Sequence, residues 1–125
     1  MKYIYMAFLL FCANSFAQDL SGCWKNESIS STYDLIIHDN NGKLSGSYCF
    51  INANGNRIDC DKNNSIIDGS VDNGVGSITF GGSGEGKLTY NHDNLTLKMT
   101  DSTPFDDFNM HIPYEIKLLR ANECK

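Results

Sequence analysis

The chain has 125 residues, a formal net charge of −5 and 41% apolar residues, which suits one domain with a modest core. An acidic balance argues against a nucleic-acid binder, whose footprint is a basic patch. The apolar fraction argues against a disordered chain, and no apolar run is long enough for membrane insertion of the mature protein.

Residues 1–17, MKYIYMAFLLFCANSFA, read as a secretory signal peptide. A short basic start, Met1 and Lys2, leads into an apolar stretch from Tyr3 to Phe11. Ser15 and Ala17 then supply the small residues of a cleavage site. Cleavage after Ala17 leaves one domain over 18–125 and implies a periplasmic or secreted protein. It removes Lys2, so nine cations face fifteen carboxylates and the net charge becomes −6. It also removes Cys12. The remaining Cys23, Cys49, Cys60 and Cys124 are an even set in a small exported chain, which predicts two disulfides. Their spacing fits no zinc pattern, so neither a metal nor a cofactor is expected.

Strands are predicted over about 20–26, 32–39, 43–52, 57–60 running on to 65–72, 75–81, 86–91, 95–101 and 112–120. Asn41-Gly42, Asn54-Gly55 and Asn73-Gly74 are type I′ turn signals, because Asn and Gly tolerate positive φ. Folding about Asn41-Gly42 sets Tyr33 against Phe50, Leu35 against Tyr48, Ile37 against Gly46 and Asp39 against Leu44. Folding about Asn73-Gly74 sets Ile67 against Phe80, Gly69 against Ile78 and Val71 against Gly76. A weaker turn at Asp93-Asn94 sets Leu88 against Met99 and Tyr90 against Leu97. Each register gathers apolar residues on one face, as a half-buried antiparallel sheet requires.

Folding about Asn54-Gly55 sets Cys49 against Cys60, which predicts a cross-strand bridge. In a strict two-residue hairpin that pair falls at a wide, hydrogen-bonded position, so a longer loop or a bulge is expected there. Cys23 is left with Cys124, which would tie the first strand to the last. The expected fold is therefore all-β, a small antiparallel up-and-down β-barrel of about eight strands, with a β-sandwich as the alternative.

Gly22-Cys23-Trp24, at the start of the first strand, resembles the Gly-x-Trp element that opens lipocalin-like (calycin) barrels. The resemblance implies a Trp closing one barrel end, and a carrier of a small apolar ligand as one functional reading. The combination of leader, disulfides, acidity and β-barrel also resembles small exported bacterial inhibitor and immunity proteins, including periplasmic lysozyme inhibitors. That resemblance implies a non-catalytic protein that binds and neutralises a toxin or lytic enzyme. The Ser-Gly-x-x-Tyr loop of one such inhibitor family has only a shortened counterpart, Ser45-Gly46-Ser47-Tyr48, so that family's inhibitory residues are not carried over.

Catalytic patterns are absent from the sequence. His38, His92 and His111 share no ligand spacing. Gly81-Gly82-Ser83-Gly84-Glu85-Gly86 is followed by strand-like residues, where a phosphate loop needs a helix. Asp59-x-Asp61-x-Asn63 starts like a calcium loop but lacks its Gly and its later Glu. The segment 101–111 is the expected partner-binding element. It combines Asp101, Asp106 and Asp107 with Phe105, Phe108 and Met110, and interface cores favour aromatic residues and Met. The same aromatics would alternatively plug one barrel end. The expected partner is a basic protein, and a strand edge beside 57–72 offers a pairing surface for a homodimer.

Overall fold

Period-2 alternation dictates the architecture. In the stretch Tyr33–Ile37, the odd positions are apolar and buried, and the same alternation recurs through Leu95–Met99 and Ile116–Leu118. A computed structural model describes residues 19–28, 30–52, 57–61, 63–81, 84–106 and 112–124. The leader expected over 1–17 lies outside these residues.

The strands are β1 (Gly22–Glu27), β2 (Ser31–Asn40), β3 (Lys43–Asn52), β4 (Arg57–Asp61), β5 (Ile67–Asp72), β6 (Val75–Phe80), β7 (Glu85–Asn91), β8 (Asn94–Asp101) and β9 (Glu115–Ala121). A single helical turn, α1 (Thr103–Asp106), lies between the last two. Eight strands, all but β4, form a closed antiparallel meander. The ring shuts where β9 pairs with β1 through Cys23↔Ala121, Trp24↔Arg120 and Lys25↔Leu119. The up-and-down barrel is thus correct and the sandwich alternative is not.

The registers about Asn41-Gly42 and Asn73-Gly74 are as expected. Both Asn and both Gly residues have positive φ, from 53° to 91°. Cys49 lies directly opposite Cys60, with Cα atoms 3.9 Å apart, which is a close pair rather than the wide one of a strict two-residue hairpin. Cys23 is bonded to Cys124, with Cα atoms 5.6 Å apart.

Two expectations need correcting. The third hairpin turns at His92-Asp93, not Asp93-Asn94, so Leu88 faces Leu97 and Tyr90 faces Leu95. His92 takes the left-handed conformation there (φ 57°). The shift is two residues, so every side chain keeps its predicted face. The segment 57–72 is not one continuous strand either. β4 pairs with the second half of β3 (Tyr48↔Asp61), whereas β5 pairs with its first half (Ser45↔Asp68). Between them Ser65 keeps an isolated bridge to Gly46 of β3 outside both ladders, so β5 joins the ring and β4 extends beyond it.

Large apolar side chains converge on the interior. Leu35, Ile37, Leu44, Ile78, Leu88 and Leu97 are all buried within one continuous cluster. Gly46 and Gly69 let this small ring close. A Cβ at Gly46 would collide with the Ile36 carbonyl oxygen, and one at Gly69 with that of Ser77.

The two ends differ. One carries the tight turns 41–42, 73–74 and 92–93. Here residues 19–21 fold beneath the barrel and bury Leu20. The Trp24 indole N–H donates to the Leu20 carbonyl at 2.9 Å. The Arg120 guanidinium stacks 4.2 Å from the Trp24 ring and donates to the carbonyls of Ser21 and Asp19. Its Nε also pairs with Asp93 at 3.3 Å.

Loop length sets the worth of each disulfide. Cys23–Cys124 spans 101 residues and Cys49–Cys60 spans 11. The chain-entropy relation gives about 5 and about 3 kcal/mol respectively. Denaturant unfolding of the Cys23→Ala/Cys124→Ala and Cys49→Ala/Cys60→Ala variants is expected to rank them in that order.

Candidate functional site

The opposite end holds the longer connections, the β3–β4 ribbon and α1. Its mouth is closed by an aromatic plug. Phe105 of α1 is 1% exposed and meets Tyr48, Phe50 and Phe80 at centroid distances of 6.0, 5.6 and 5.7 Å. Tyr48 and Phe50 are themselves in contact at 5.0 Å, and Tyr33 packs edge-on against Phe50. These pairs are edge-to-face or tilted, which aromatic quadrupoles favour.

Of the two expected roles, Phe105 takes that of the plug, buried as the stopper of the barrel. Asp101 is exposed at the end of β8, and its carboxylate accepts the Thr103 N–H at 3.1 Å, which starts α1. Asp106 ends α1. Asp107, Phe108 and Met110, and also His111, lie outside the described residues. Of the other expected features, His38 is exposed on β2 and His92 sits in its turn, as solvated strand-end histidines. Asp61 accepts the Asn63 backbone N–H at 3.0 Å.

Carboxylates ring this plugged end. On β4, Cys60 points outward to its bridge, so Asp59 and Asp61 take the barrel side. The Tyr48 hydroxyl donates to Asp59 at 3.1 Å. Burial, and then the negative charges of Asp59 and Asp61, push the Tyr48 phenol far above its usual value. It therefore stays a proton donor and pins β4 to the barrel. Across the mouth, Glu85 of β7 lies opposite Asp101 of β8 at a bulge. Like charges set directly across a ladder repel. Both are exposed, and neither has an ion pair among the described residues. Glu27 and Glu115 complete the rim at the ends of β1 and β9, with Glu115 3.8 Å from Lys98.

A second locus, which sequence reasoning missed, sits on the outer wall. Asp34 of β2 is flanked by Lys25 on β1 and Cys49 on β3. It is only 9% exposed, and its Oδ1 is fully buried without a hydrogen-bond partner. The sequence signal is a lone carboxylate inside the apolar run Tyr33–Ile37, in register with a disulfide cysteine.

No family model, no curated protein and no solved structure matches the chain. Among the described residues, no group of three or more His, Cys, Asp or Glu is placed to hold a metal ion.

Two outcomes are expected. Phe105→Ala removes the stopper and is expected to cost about 3–5 kcal/mol in denaturant unfolding, the usual loss for a buried Phe. Burial pushes the Asp34 carboxyl above its ordinary value of 3.8, Glu27 adds to the rise and Lys25 opposes it. The native state thus holds this proton more tightly than the unfolded chain. The group's stabilising contribution is full below 3.8 and is lost as the pH rises through the higher native value. Asp34→Asn is therefore expected to melt above the parent at neutral pH, with the difference shrinking in acid. Thermal melts across that range read it directly.

Proposed function

We propose that this chain is a non-catalytic binding protein of an oxidising compartment, periplasmic or extracellular, that docks a basic toxin or lytic enzyme and blocks it. The observation that carries the reading is the rim of the looped end. Glu85 and Asp101 are held side by side with no ion pair among the described residues, and Asp59 and Asp61 stand across the same mouth. Retaining this repulsion costs stability, which a cationic partner surface would relieve.

Other features support the same reading. The interior is occupied by its own side chains, which leaves the outer surface for recognition. A ligand carrier would need an interior cavity of roughly 300 Å³ or more, and large apolar side chains from all eight ring strands converge on that space. The two disulfides suit export, and Cys49–Cys60 staples the β3–β4 ribbon that carries Asp59 and Asp61, which lowers the ordering cost of docking there. Ile58 and Tyr114, 71% and 66% exposed, are apolar groups available beside the rim carboxylates.

The test is capture with inhibition. Oxidised protein is immobilised and exposed to envelope and secreted fractions, with purified lysozymes in parallel. A basic enzyme that is retained and loses activity is the expected result. Its association rate should fall about tenfold or more when rim charges are reversed in Glu85→Lys/Asp101→Lys, with dissociation little changed. Unchanged association kinetics in the folded double variant would remove the rim from the proposal.

A further inference from the structure

The buried carboxylate on the outer wall does not stand alone. It lines a pocket of about 150 Å³, open on one side, between the two disulfides. Cys49 forms one wall and Cys124 the other, where the chain's last residues fold back across β2. Ile36 and the buried Ser47 form the floor, and Asn64, from the stretch between β4 and β5, stands at the edge.

Each part has a chemical consequence. Sulfur and Ile36 make the walls apolar. Asp34 Oδ1 is shielded from water and accepts no hydrogen bond. Lys25, its neighbour on β1, forms no ion pair with it among the described residues. A buried charge left unpaired is costly, whereas a cation brought to it within apolar walls is held more firmly than in water. The volume is that of a benzene-sized guest, well below the roughly 300 Å³ where sites for drug-sized ligands begin. It suits one side chain. The Asp34 carboxylate and Ser47 line it as separate points. That pattern matches the rotatable donors of an ammonium better than the planar fork of a guanidinium.

We propose that this pocket receives a single lysine side chain of the protein partner, its methylenes against the disulfides and Ile36 and its ammonium against Asp34. The inference deepens the partner-binding reading and rests on it for the identity of the guest. It supplies what the acidic rim lacks, a fully desolvated anchor of the kind that dominates interface energetics, while the rim governs approach.

The test uses n-butylammonium as the probe, added at constant ionic strength to the isotope-labelled oxidised chain and followed by amide chemical shifts. Saturable shifts at Asp34, Ile36, Ser47 and Asn64 are expected, with a dissociation constant on the order of 1–10 mM for so small a fragment. Asp34→Asn, whose own spectrum reports that it is folded, should weaken binding about tenfold or more, and the neutral 1-pentanol should bind correspondingly less. Absence of saturable shifts overturns the proposal, as does equal binding of 1-pentanol or equal binding by Asp34→Asn. Tighter binding of n-propylguanidinium overturns the lysine assignment. A large gain in affinity in Lys125→Gln means that the chain's own C-terminal lysine is the guest, which also overturns it. The titration needs no protein partner. A failed capture experiment therefore leaves it standing, and its failure leaves the acidic rim as the partner face.

Discussion

Everything in this molecule depends on the pairing of β9 with β1. Without it the eight strands are an open, strongly curved sheet with two long edges and a core open to water on one side. Only a few residue pairs make the seam, so it is reinforced three ways. Cys23 is bonded across to Cys124 on the outer wall. Trp24 fills the inside directly behind the seam, with its indole N–H satisfied by Leu20. Arg120 of β9 lies over that indole and reaches the carbonyls of Ser21 and Asp19, so the last strand holds the segment that precedes the first. The guanidinium thus joins three elements through one side chain, using its flat face for the ring and its edge for the carbonyls.

With the ring shut and large side chains gathered inside it, the proposed recognition falls to the outside. The narrow end is spent on closure, and its turns are too short to carry a binding surface. The looped end has an aromatic stopper beneath and carboxylates around it, and the wall between the disulfides has a single shielded carboxylate. The disulfides thus serve stability and site construction together. Cys49 and Cys124 both brace the barrel and line the pocket.

Much of the fold was legible because turn chemistry and period-2 alternation are local. Asn41-Gly42 and Asn73-Gly74 need positive φ at both central positions, so the registers of their hairpins followed residue by residue. The pairing of Cys49 with Cys60 followed from the same counting. Where a turn lacked Gly, the counting slipped: His92 takes the left-handed position, a conformation that its identity signals far less strongly than Asn or Gly. The break between β4 and β5 was hidden because both halves remain antiparallel to β3, and only the three-dimensional course shows that the residues between them lie outside both ladders. Phe105 was read both as contact and as plug, since one residue type serves both roles. Burial decided it. Asp34 escaped notice because its environment is assembled from β1, β2, β3 and the distant C-terminus, which no window of sequence brings together.

The bond between Cys23 and Cys124 also changes the covalent topology of the chain. It turns the whole domain into a macrocycle, with a smaller ring at Cys49–Cys60 inside it. A linear protein cut once becomes two molecules. Here a single cut in any connection between residues 23 and 124 leaves one molecule, because the fragments stay joined through the sulfurs. The ladder can then re-form at the high effective concentration of a tethered reaction rather than at the dilution of two separate chains. Where proteases are present, a cut in the connections of the looped end is therefore not by itself a loss of the molecule.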